Sequence, residues 1–400
     1  MITDLDPAFA AALAAFDYQP RTRVVFGVNS VERVGELAKT LAAKRVLLVT
    51  DRGIVSAGHA GRVQALLEAS GIEATLFDQV QENPSTRCVE RCVQVARGAR
   101  IDTIVGLGGG SSMDTAKGCN FILTNGGQMK DYWGIGRATR PMLPLIAIPT
   151  TGGTGSECQS FALITDEQTH QKMPCGDPKA AARIALLDPA LTLSQPARVT
   201  ACSGIDALAH ALETLVTKPR TPLSLIFSRE AYRLIIAGLY RVLTSPADLE
   251  ARGWMLLGAA WAGTAIENSM LGAAHAAANP LTAHFGVVHG HAVGMMLPHV
   301  VRFNARDEAA ARAYAEAACS AQLAPPSATP AATTEHLAQR LESLLELAGL
   351  PHTLGHCGVK TEDIVRLADE AARQWTAQFN PRPAAAADFQ QLYTAALTPA

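Results

Sequence analysis

The stretch "IVGLGGGSSMDTAKG" (residues 104–118) passes from an apolar run through three glycines and two serines into a segment of helical character. The apolar run is typical of a buried strand, and the glycines from Gly108 to Gly110 allow close approach of the backbone. The amides of Ser111 and Ser112 would then open a helix and point at an anion. The stretch predicts a strand, a turn and a helix with a pyrophosphate site at the turn, although a purely structural tight turn has the same composition.

Similar apolar runs alternate with helical patterns through the first half of the chain. We predict strands at residues 23–28, 45–51, 73–78, 102–110, 143–151 and 182–189. Several of them are separated by segments with helical periodicity, such as 55–70 and 84–99. This alternation predicts an α/β fold with a mostly parallel sheet that is covered on both faces. In two-part enzymes of this kind, ligands bind in the cleft at the carboxyl ends of the strands.

Two further strand ends carry polar groups that suit a nucleotide. The run "IPTTGGTGSE" (148–157) ends in threonines, glycines and a serine, which offer hydroxyls and amides to the same edge of the sheet. The run "RVLLVTDRG" (45–53) ends in Asp51, whose carboxylate can accept hydrogen bonds from a ribose diol and repel a 2′-phosphate. This favours NAD over NADP, but Arg52 leaves NADP open, and Asp51 could equally be a helix N-cap.

The pattern changes near "LTLSQPARVT" (191–200), after which Ala- and Leu-rich helical segments follow one another without a good strand. We therefore predict an α/β dinucleotide-binding domain at 1–195 and an all-helical metal-binding and substrate domain at 196–400. The Pro-, Ser- and Thr-rich stretch at 323–336 is predicted to be a loop between two helices.

The overall composition describes a soluble globular protein. It is 48% hydrophobic and 18% charged, with a formal net charge of -2, so it has no electrostatic reason to bind nucleic acid or an anionic membrane. No apolar run approaches the roughly 20 residues of a membrane span. The acidic start "MITDLDPAFAAAL" does not resemble an export signal. The eight scattered cysteines suggest reduced thiols and a cytoplasmic location.

Candidate metal ligands occur in two places in the second half. In "CSGIDALAHALE" (202–213), Asp206 and His210 lie four residues apart, which places them on one helix face, although a simple surface hydrogen bond has the same spacing. The stretch 271–291 adds four histidines, of which His275 and His289 are the preferred partners.

For His275 and His289 to bind one ion, the chain must break between them. Fourteen residues of unbroken helix span roughly 21 Å, which is too far for a shared ligand. We expect Asn279-Pro280 to end the first helix and Gly286 to loosen the connection, so that His289 opens the next segment.

The other histidines are predicted to line the pocket or cap helices. These are His284, His291 and His299, since one ion seldom needs more than four protein ligands. Spacing alone does not exclude His291 in place of His289. One carboxylate and three imidazoles suit Fe(II), Zn(II) or Mn(II), with a position left open for substrate.

These motifs together resemble the iron-containing (group III) alcohol dehydrogenase family. The resemblance covers the whole chain and rests on "GGGSSMDTAK", "PTTGGTGSE", "ITDE", "GIDALAHALE", "GAAHAAANPL" and "VHGHAVGMMLPHVVRFN", in the family's order and spacing. It implies an N-terminal nucleotide-binding domain and a helical metal-binding domain. It also implies that the metal ligands are Asp206, His210, His275 and His289. The implied cofactor contacts are Asp51, Gly108, Gly109, Gly110, Ser111, Thr150, Thr151, Thr154 and Lys172.

The sequence departs from the family at one position. Many members carry a second histidine four residues after the third ligand, where this chain has Asn279. An amide can bind a substrate oxygen but cannot exchange a proton near neutral pH, so a proton relay at this position is in doubt. Asn279 could instead cap the helix before Pro280. The substrate pocket implied by family position consists of Phe161, Asn268, Ala274 and Asn279.

The resemblance implies a metal- and NAD-dependent alcohol dehydrogenase and aldehyde reductase. Hydride would pass between a small uncharged primary or secondary alcohol and the nicotinamide. A hydroxyacid–oxoacid transhydrogenase is the nearest alternative. A dehydroquinate-synthase-like lyase is disfavoured, because a sugar-phosphate substrate needs several Lys or Arg and the His-rich segments offer almost none. Family members form dimers and larger oligomers, so we expect a homo-oligomer.

Overall fold

A computed structural model describes residues 15–169, 171–325 and 327–397. Contacts divide the chain into two compact units, one of residues 19–195 and one that combines 196–397 with the short segment 15–18. That short segment falls inside the first predicted domain, but it clusters with the helical unit. The stretch on which the export expectation rests, residues 1–13, lies outside the described residues.

The first unit contains nine strands and five α-helices in its described residues. The strands are β1 (Arg23–Phe26), β2 (Arg45–Val49), β3 (Glu73–Phe77), β4 (Thr103–Gly108), β5 (Gly134–Ile135), β6 (Leu145–Pro149), β7 (Phe161–Thr165), β8 (Lys172–Gly176) and β9 (Ile184–Leu187). The helices are α1 (Val34–Thr40), α2 (Arg52–Ser56), α3 (His59–Ala69), α4 (Thr86–Ala99) and α5 (Gly110–Asn125).

Six of these strands form a fully parallel sheet in the order β1-β9-β6-β4-β2-β3. They are the six strands that the apolar runs predicted, so the prediction of a mostly parallel α/β sheet is confirmed. The central strands β4 and β6 are buried along their whole length, which is why they read as continuous apolar runs. The chain moves outward in opposite directions from β2 and β4, a topological switch point that favours ligand binding at the carboxyl edge.

The remaining three strands form a small side sheet in the order β5-β8-β7. The sequence reasoning did not find it. The strand β5 has only two residues, and β8 contains Pro174, so neither shows a recognisable strand pattern.

The second unit consists of helices and, in its described residues, contains no strand, as predicted. Its α-helices are α6 (Ala197–Thr214), α7 (Pro222–Thr244), α8 (Leu249–Ser269), α9 (Ala273–Phe285), α10 (His289–Asn304), α11 (Glu308–Ser320), α12 (Pro330–Leu347), α13 (Ile364–Ala372) and α14 (Ala386–Leu397). Within the described ranges, no helix has the length and apolar character needed to traverse a bilayer.

Two expected boundaries in this unit are wrong. The predicted loop at 323–336 ends early, because Thr329 accepts a hydrogen bond from the backbone of Ala332 and caps α12, which begins at Pro330. The predicted helix end at Asn279-Pro280 is not observed, because α9 runs through Pro280 to Phe285. The helix ends instead at Gly286, which has a φ of 64° and donates its backbone N–H to the carbonyl of Thr282.

Candidate nucleotide turn and metal centre

The glycine turn at the end of β4 is shaped by backbone that could not carry side chains. Gly108 has a φ of 141°, and a Cβ there would lie 2.4 Å from the hydroxyl of Ser112. A Cβ on Gly110 would lie 2.8 Å from a methyl carbon of Thr154. Gly109 precedes α5 without a side-chain cap, so the first amides of this helix are available to an anion.

The order β6-β4-β2 brings the ends of the neighbouring strands to this turn. Asp51 follows β2, and its Oδ2 lies 3.5 Å from the position that a Cβ on Gly108 would occupy. Its Oδ1 accepts a hydrogen bond from the backbone N–H of Ile54 at 3.1 Å, so the residue also caps α2. Thr151, after β6, has its hydroxyl 3.5 Å from the corresponding position on Gly109. The two roles that the sequence left open for Asp51 are therefore compatible, one for each carboxylate oxygen.

The other predicted cofactor contacts lie nearby or on the side sheet. Thr150 donates its backbone N–H to the carbonyl of Gly108 at 2.9 Å, and Ser111 is the second residue of α5. Lys172 is the first residue of β8, and its Nζ lies 3.4 Å from the side-chain oxygen of Asn83. The structure thus groups the threonines, the glycines and Asp51 around one turn, whereas Lys172 belongs to the side sheet.

A buried polar cluster that the sequence analysis did not identify joins α5 to the segment that follows β6. The Nζ of Lys117, which is fully buried, donates to the carbonyl and hydroxyl of Ser156 at 2.6 and 2.9 Å and to the carbonyl of Phe161 at 2.9 Å. Asp114 accepts a hydrogen bond from the Ser156 hydroxyl at 3.0 Å. Both charged residues appear in "GGGSSMDTAK", one helical turn apart, which is the signal that could have revealed them.

Glu157, the residue that follows Ser156, is a further buried acid beside this cluster. It is buried, and among the described residues no hydrogen bond reaches its Oε1. Burial raises the pKa of Glu157 to about 7, against smaller opposing effects of its own backbone N–H and of the charge of Lys117.

The second unit brings three predicted metal ligands together. Asp206 and His210 stand one turn apart on α6, and His275 projects from α9. All three are buried, and their ligand atoms lie within 4.8 Å of one another. The Nε2 atoms of His210 and His275 lie 3.6 and 3.3 Å from Oδ1 of Asp206. His289, the first residue of α10, has its Nε2 3.9 Å from the same oxygen and lies at the more exposed edge of the group.

The electrostatics of this cluster fit a cation. Oδ1 of Asp206 and Nε2 of His275 are buried, and within the described ranges neither makes a hydrogen bond of good geometry. Burial alone would raise the pKa of Asp206, but the neighbouring imidazoles, His210 first, outweigh it and hold it far below its usual value. Burial works against a charged His275, but Glu213 and Asp206 outweigh it and raise its pKa to about 9. The site therefore attracts positive charge, and one carboxylate with three imidazoles is a suitable donor set for a divalent ion.

Glu213 is a site residue that the sequence reasoning missed. It is buried, and its Oε2 lies 2.5 Å from Nδ1 of His275, the ring nitrogen that faces away from Asp206. The available signal was spacing, because Glu213 follows His210 by three residues in "GIDALAHALE" and so shares its helix face.

The remaining histidines have partners of their own. His284 pairs with Glu370, with Nε2 2.8 Å from a carboxylate oxygen. His291 donates from Nε2 to the carbonyl of Pro351 at 2.6 Å and lines a separate cavity of about 500 Å³ within the helical unit. Burial lowers the pKa of His299. This geometry favours His289 over His291 as the fourth ligand.

The four predicted pocket residues are dispersed over both units. Phe161 begins β7 in the α/β unit. Asn268 donates its side-chain amide to a carbonyl within its own helix, and Ala274 is fully buried. Asn279 is half-buried in the middle of α9, one turn after His275, so it is not a helix cap. Its Nδ2 donates to Oε1 of Gln374 at 3.0 Å.

Models of known protein families match both units of the chain. The model of the iron-containing alcohol dehydrogenases matches residues 20–189, and that of the C-terminal domain of Fe-containing alcohol dehydrogenases matches residues 200–397. The chain is 35% identical to the NAD-dependent methanol dehydrogenase of Bacillus methanolicus over 378 residues, which cover 93% of this chain and 97% of that protein.

Solved structures agree with this placement. The crystal structure of a 1,3-propanediol oxidoreductase superposes with a TM-score of 0.92 at 31% identity, covering 96% of this chain and all of that one. Sulfoacetaldehyde reductase from Bifidobacterium kashiwanohense in complex with NAD+ superposes with a TM-score of 0.85 at 25% identity, covering 97% of this chain and all of that one. With the two matched models and the shared length, this chain belongs to the iron-containing alcohol dehydrogenase family.

Proposed function

We propose that this protein oxidises a small, uncharged primary or secondary alcohol with NAD, and reduces the corresponding aldehyde or ketone, at a metal centre in its helical unit. NAD-linked, metal-dependent alcohol oxidation is the activity of its family. The observation that carries the proposal is the convergence of Asp206, His210 and His275 within 4.8 Å in a buried, cation-attracting site.

The proposed ligands of the ion are Asp206, His210, His275 and His289. Fe(II) is the proposed native ion, and Zn(II) and Mn(II) satisfy the same donor set. When bound, the ion acts as a Lewis acid on the substrate oxygen. The chain's own contribution is to hold these four side chains on three helices, so that the site is rigid before substrate arrives.

The proposed NAD site is the glycine turn of the α/β unit. The first amides of α5 and the hydroxyls of Thr150, Thr151 and Thr154 would bind the pyrophosphate, and Ser111 and Lys172 would extend this contact. Oδ2 of Asp51, which is not the oxygen that caps α2, would accept hydrogen bonds from the ribose hydroxyls, which is why we propose NAD rather than NADP. NAD bound at this turn would supply the acceptor for the hydride of the substrate's carbinol carbon.

The proposed pocket side chains favour an uncharged substrate. Phe161, Asn268, Ala274 and Asn279 carry no charge, and the amide of Asn279 can bind a substrate oxygen but cannot relay a proton. His284 and His291 are each engaged with another group. We therefore propose that the proton of the alcohol leaves through solvent rather than through a histidine of α9 or α10.

We also propose a cytoplasmic location and a homo-oligomeric assembly. No disulfide joins any of the eight cysteines in the described residues, which suits a reducing compartment. Size-exclusion chromatography with light scattering tests the assembly.

The decisive experiment is metal analysis of the purified protein, combined with a panel of small alcohols and aldehydes followed at the NADH absorbance. We expect about one divalent ion for each chain, and we expect His275→Ala to lose both the ion and turnover. His336→Ala, an exposed histidine on α12, is the matched control. Full activity without metal would overturn the proposal, and turnover without added NAD would favour a transhydrogenase.

A further inference from the structure

We propose that Glu213 is a positioning residue that fixes the tautomer and orientation of His275 for metal binding, and that Glu213 and Asn380 together cap the helix that carries this ligand. This inference rests on the proposed ligand set. It goes beyond that set by assigning roles to two buried residues that are not proposed ligands.

The carboxylate of Glu213 connects the ring of His275 to the backbone of the preceding residue, Ala274. Oε2 of Glu213 lies 2.5 Å from Nδ1 of His275, and Oε1 accepts the backbone N–H of Ala274 at 2.7 Å. Because an ionised carboxylate can only accept, this contact keeps the hydrogen on Nδ1. A histidine that binds a metal carries a single ring hydrogen, so its lone pair then lies on Nε2, which is the nitrogen 3.3 Å from Asp206 in the metal cluster.

The start of α9 lacks a cap of its own. The residue before the helix is Gly272, which has no side chain to accept an orphan N–H. The first two amides are satisfied from a distance instead: Ala273 donates to the side-chain oxygen of Asn380 at 3.2 Å, and Ala274 donates to Glu213. A negative charge at a helix N-terminus is also favourable.

Gly272 is needed for this arrangement. A Cβ at this position would lie 2.9 Å from the side-chain oxygen of Asn380 and 3.2 Å from Oε1 of Glu213. Glycine is therefore the residue that lets both acceptors approach the helix start. The φ of Gly272 is -128°, a value that residues with side chains also adopt, so the two contacts and not the φ call for glycine here.

The same network reaches the second ligand helix. Asn380 donates to the side-chain oxygen of Asn304 at 2.7 Å, and Asn304 donates back at 3.1 Å and to the hydroxyl of Tyr314 at 3.3 Å. All three residues are buried. Asn304 is the last residue of α10, whose first residue is His289. The network thus joins the start of one ligand helix to the end of the other.

The chemistry of the amide isostere makes the proposal testable. In Glu213→Gln, the N–H of Ala274 can only donate, so it takes the single carbonyl oxygen of the glutamine. The NH₂ group then faces Nδ1 of His275, which must become an acceptor, and the ring hydrogen moves to Nε2. The nitrogen that should bind the ion is then blocked, although the side-chain volume is nearly unchanged.

The experiment measures the dissociation constant of Zn(II) by chelator competition in the full chain. We expect Glu213→Gln to weaken Zn(II) binding by about 10- to 100-fold, the range found when the hydrogen-bond partner of a metal ligand is removed. The matched control is Glu370→Gln, which alters the carboxylate partner of His284 on the same helix and should leave Zn(II) affinity unchanged. Zn(II) binding by Glu213→Gln within about twofold of the unmodified chain overturns the proposal.

A double-mutant cycle separates positioning from general stability. His275→Ala, although purified without its ion, keeps three of the proposed ligands, so its weak residual Zn(II) binding is titrated at Zn(II) concentrations far above those that saturate the unmodified chain. If Glu213 acts through His275, the substitution Glu213→Gln should have no further effect on this residual affinity. An equal loss in both backgrounds means a merely structural role and overturns the inference. If His275→Ala binds Zn(II) as tightly as the unmodified chain, the proposed ligand set fails instead. If Glu213→Gln does not fold, Asn380→Ala removes the second cap, and unchanged Zn(II) affinity in that variant also counts against the proposal.

Discussion

Replacing Glu157 by glutamine should stabilise the protein at alkaline pH and have little effect at acid pH. Glu157 is buried beside Lys117, and no hydrogen bond reaches its Oε1 among the described residues. Burial raises its pKa from a usual value of 4.5 to about 7. Well below pH 4.5 the Glu157 carboxyl is protonated in both the folded and the unfolded chain, so its ionisation does not affect the free energy of unfolding. Between pH 4.5 and 7 only the unfolded chain ionises, and above pH 7 the folded chain must bury the charge.

The magnitude follows from these two pKa values. A tenfold change in an ionisation constant corresponds to about 1.4 kcal/mol, so the difference between 4.5 and about 7 costs the folded state about 3 kcal/mol at pH 8. Glutamine cannot ionise and fills nearly the same volume. For a unit of this size, 1 kcal/mol shifts the thermal midpoint by about 2–4 °C, so Glu157→Gln should raise it by about 6–12 °C at pH 8.

The assay is thermal unfolding of the unmodified chain and of Glu157→Gln, followed by circular dichroism at pH 5 and pH 8. The stabilisation by Glu157→Gln should be small at pH 5, roughly a quarter of that at pH 8, because pH 5 lies only just above the usual pKa of 4.5. Glu167→Gln, which alters an exposed glutamate of the same unit, should show no such pH dependence. A difference of the same size at both pH values would refute the reasoning, because Glu157 would then not change its ionisation between them.

The remaining predictions concern close backbone approach and cofactor choice. Gly290→Ala would place a Cβ 2.0 Å from the carbonyl oxygen of Cys202, so α6 and α10 must separate; we expect a loss of about 3 kcal/mol in urea unfolding, with weaker Zn(II) retention. Asp51→Asn keeps a good N-cap, so stability should change by less than about 0.5 kcal/mol while the NADP to NAD ratio of kcat/KM rises about tenfold. Gly110→Ala, with its Cβ 2.8 Å from Thr154, should raise KM for NAD about tenfold and leave metal content unchanged. Retained NAD affinity would show that the turn does not bind the cofactor.

The main sheet was predictable because burial on both faces leaves an unambiguous pattern. Strands β4 and β6 are apolar at almost every position, and no helical period competes with them. The side sheet was not predictable, since β8 carries Pro174 and a terminal lysine and is held in place by its neighbour β7 rather than by its own propensity.

A break in the helix between His275 and His289 was expected on grounds of distance, but the position predicted for this break was wrong. Proline ends many helices, yet Pro280 is buried inside α9, which packs against α10 and α13. This packing outweighs one lost backbone hydrogen bond. The end is decided by Gly286, whose left-handed conformation lets the chain turn before His289.

By itself, the sequence determined the α/β and helical halves, the glycine turn and the types of residue that a metal site needs, because periodicity and local spacing express these properties directly. Only the tertiary structure decided which groups satisfy one another across the chain. Glu213 meets His275 from 62 residues away, and Asn380 reaches Ala273 from 107 residues away. Buried polar groups must find partners wherever packing brings them together, and no local pattern records that choice.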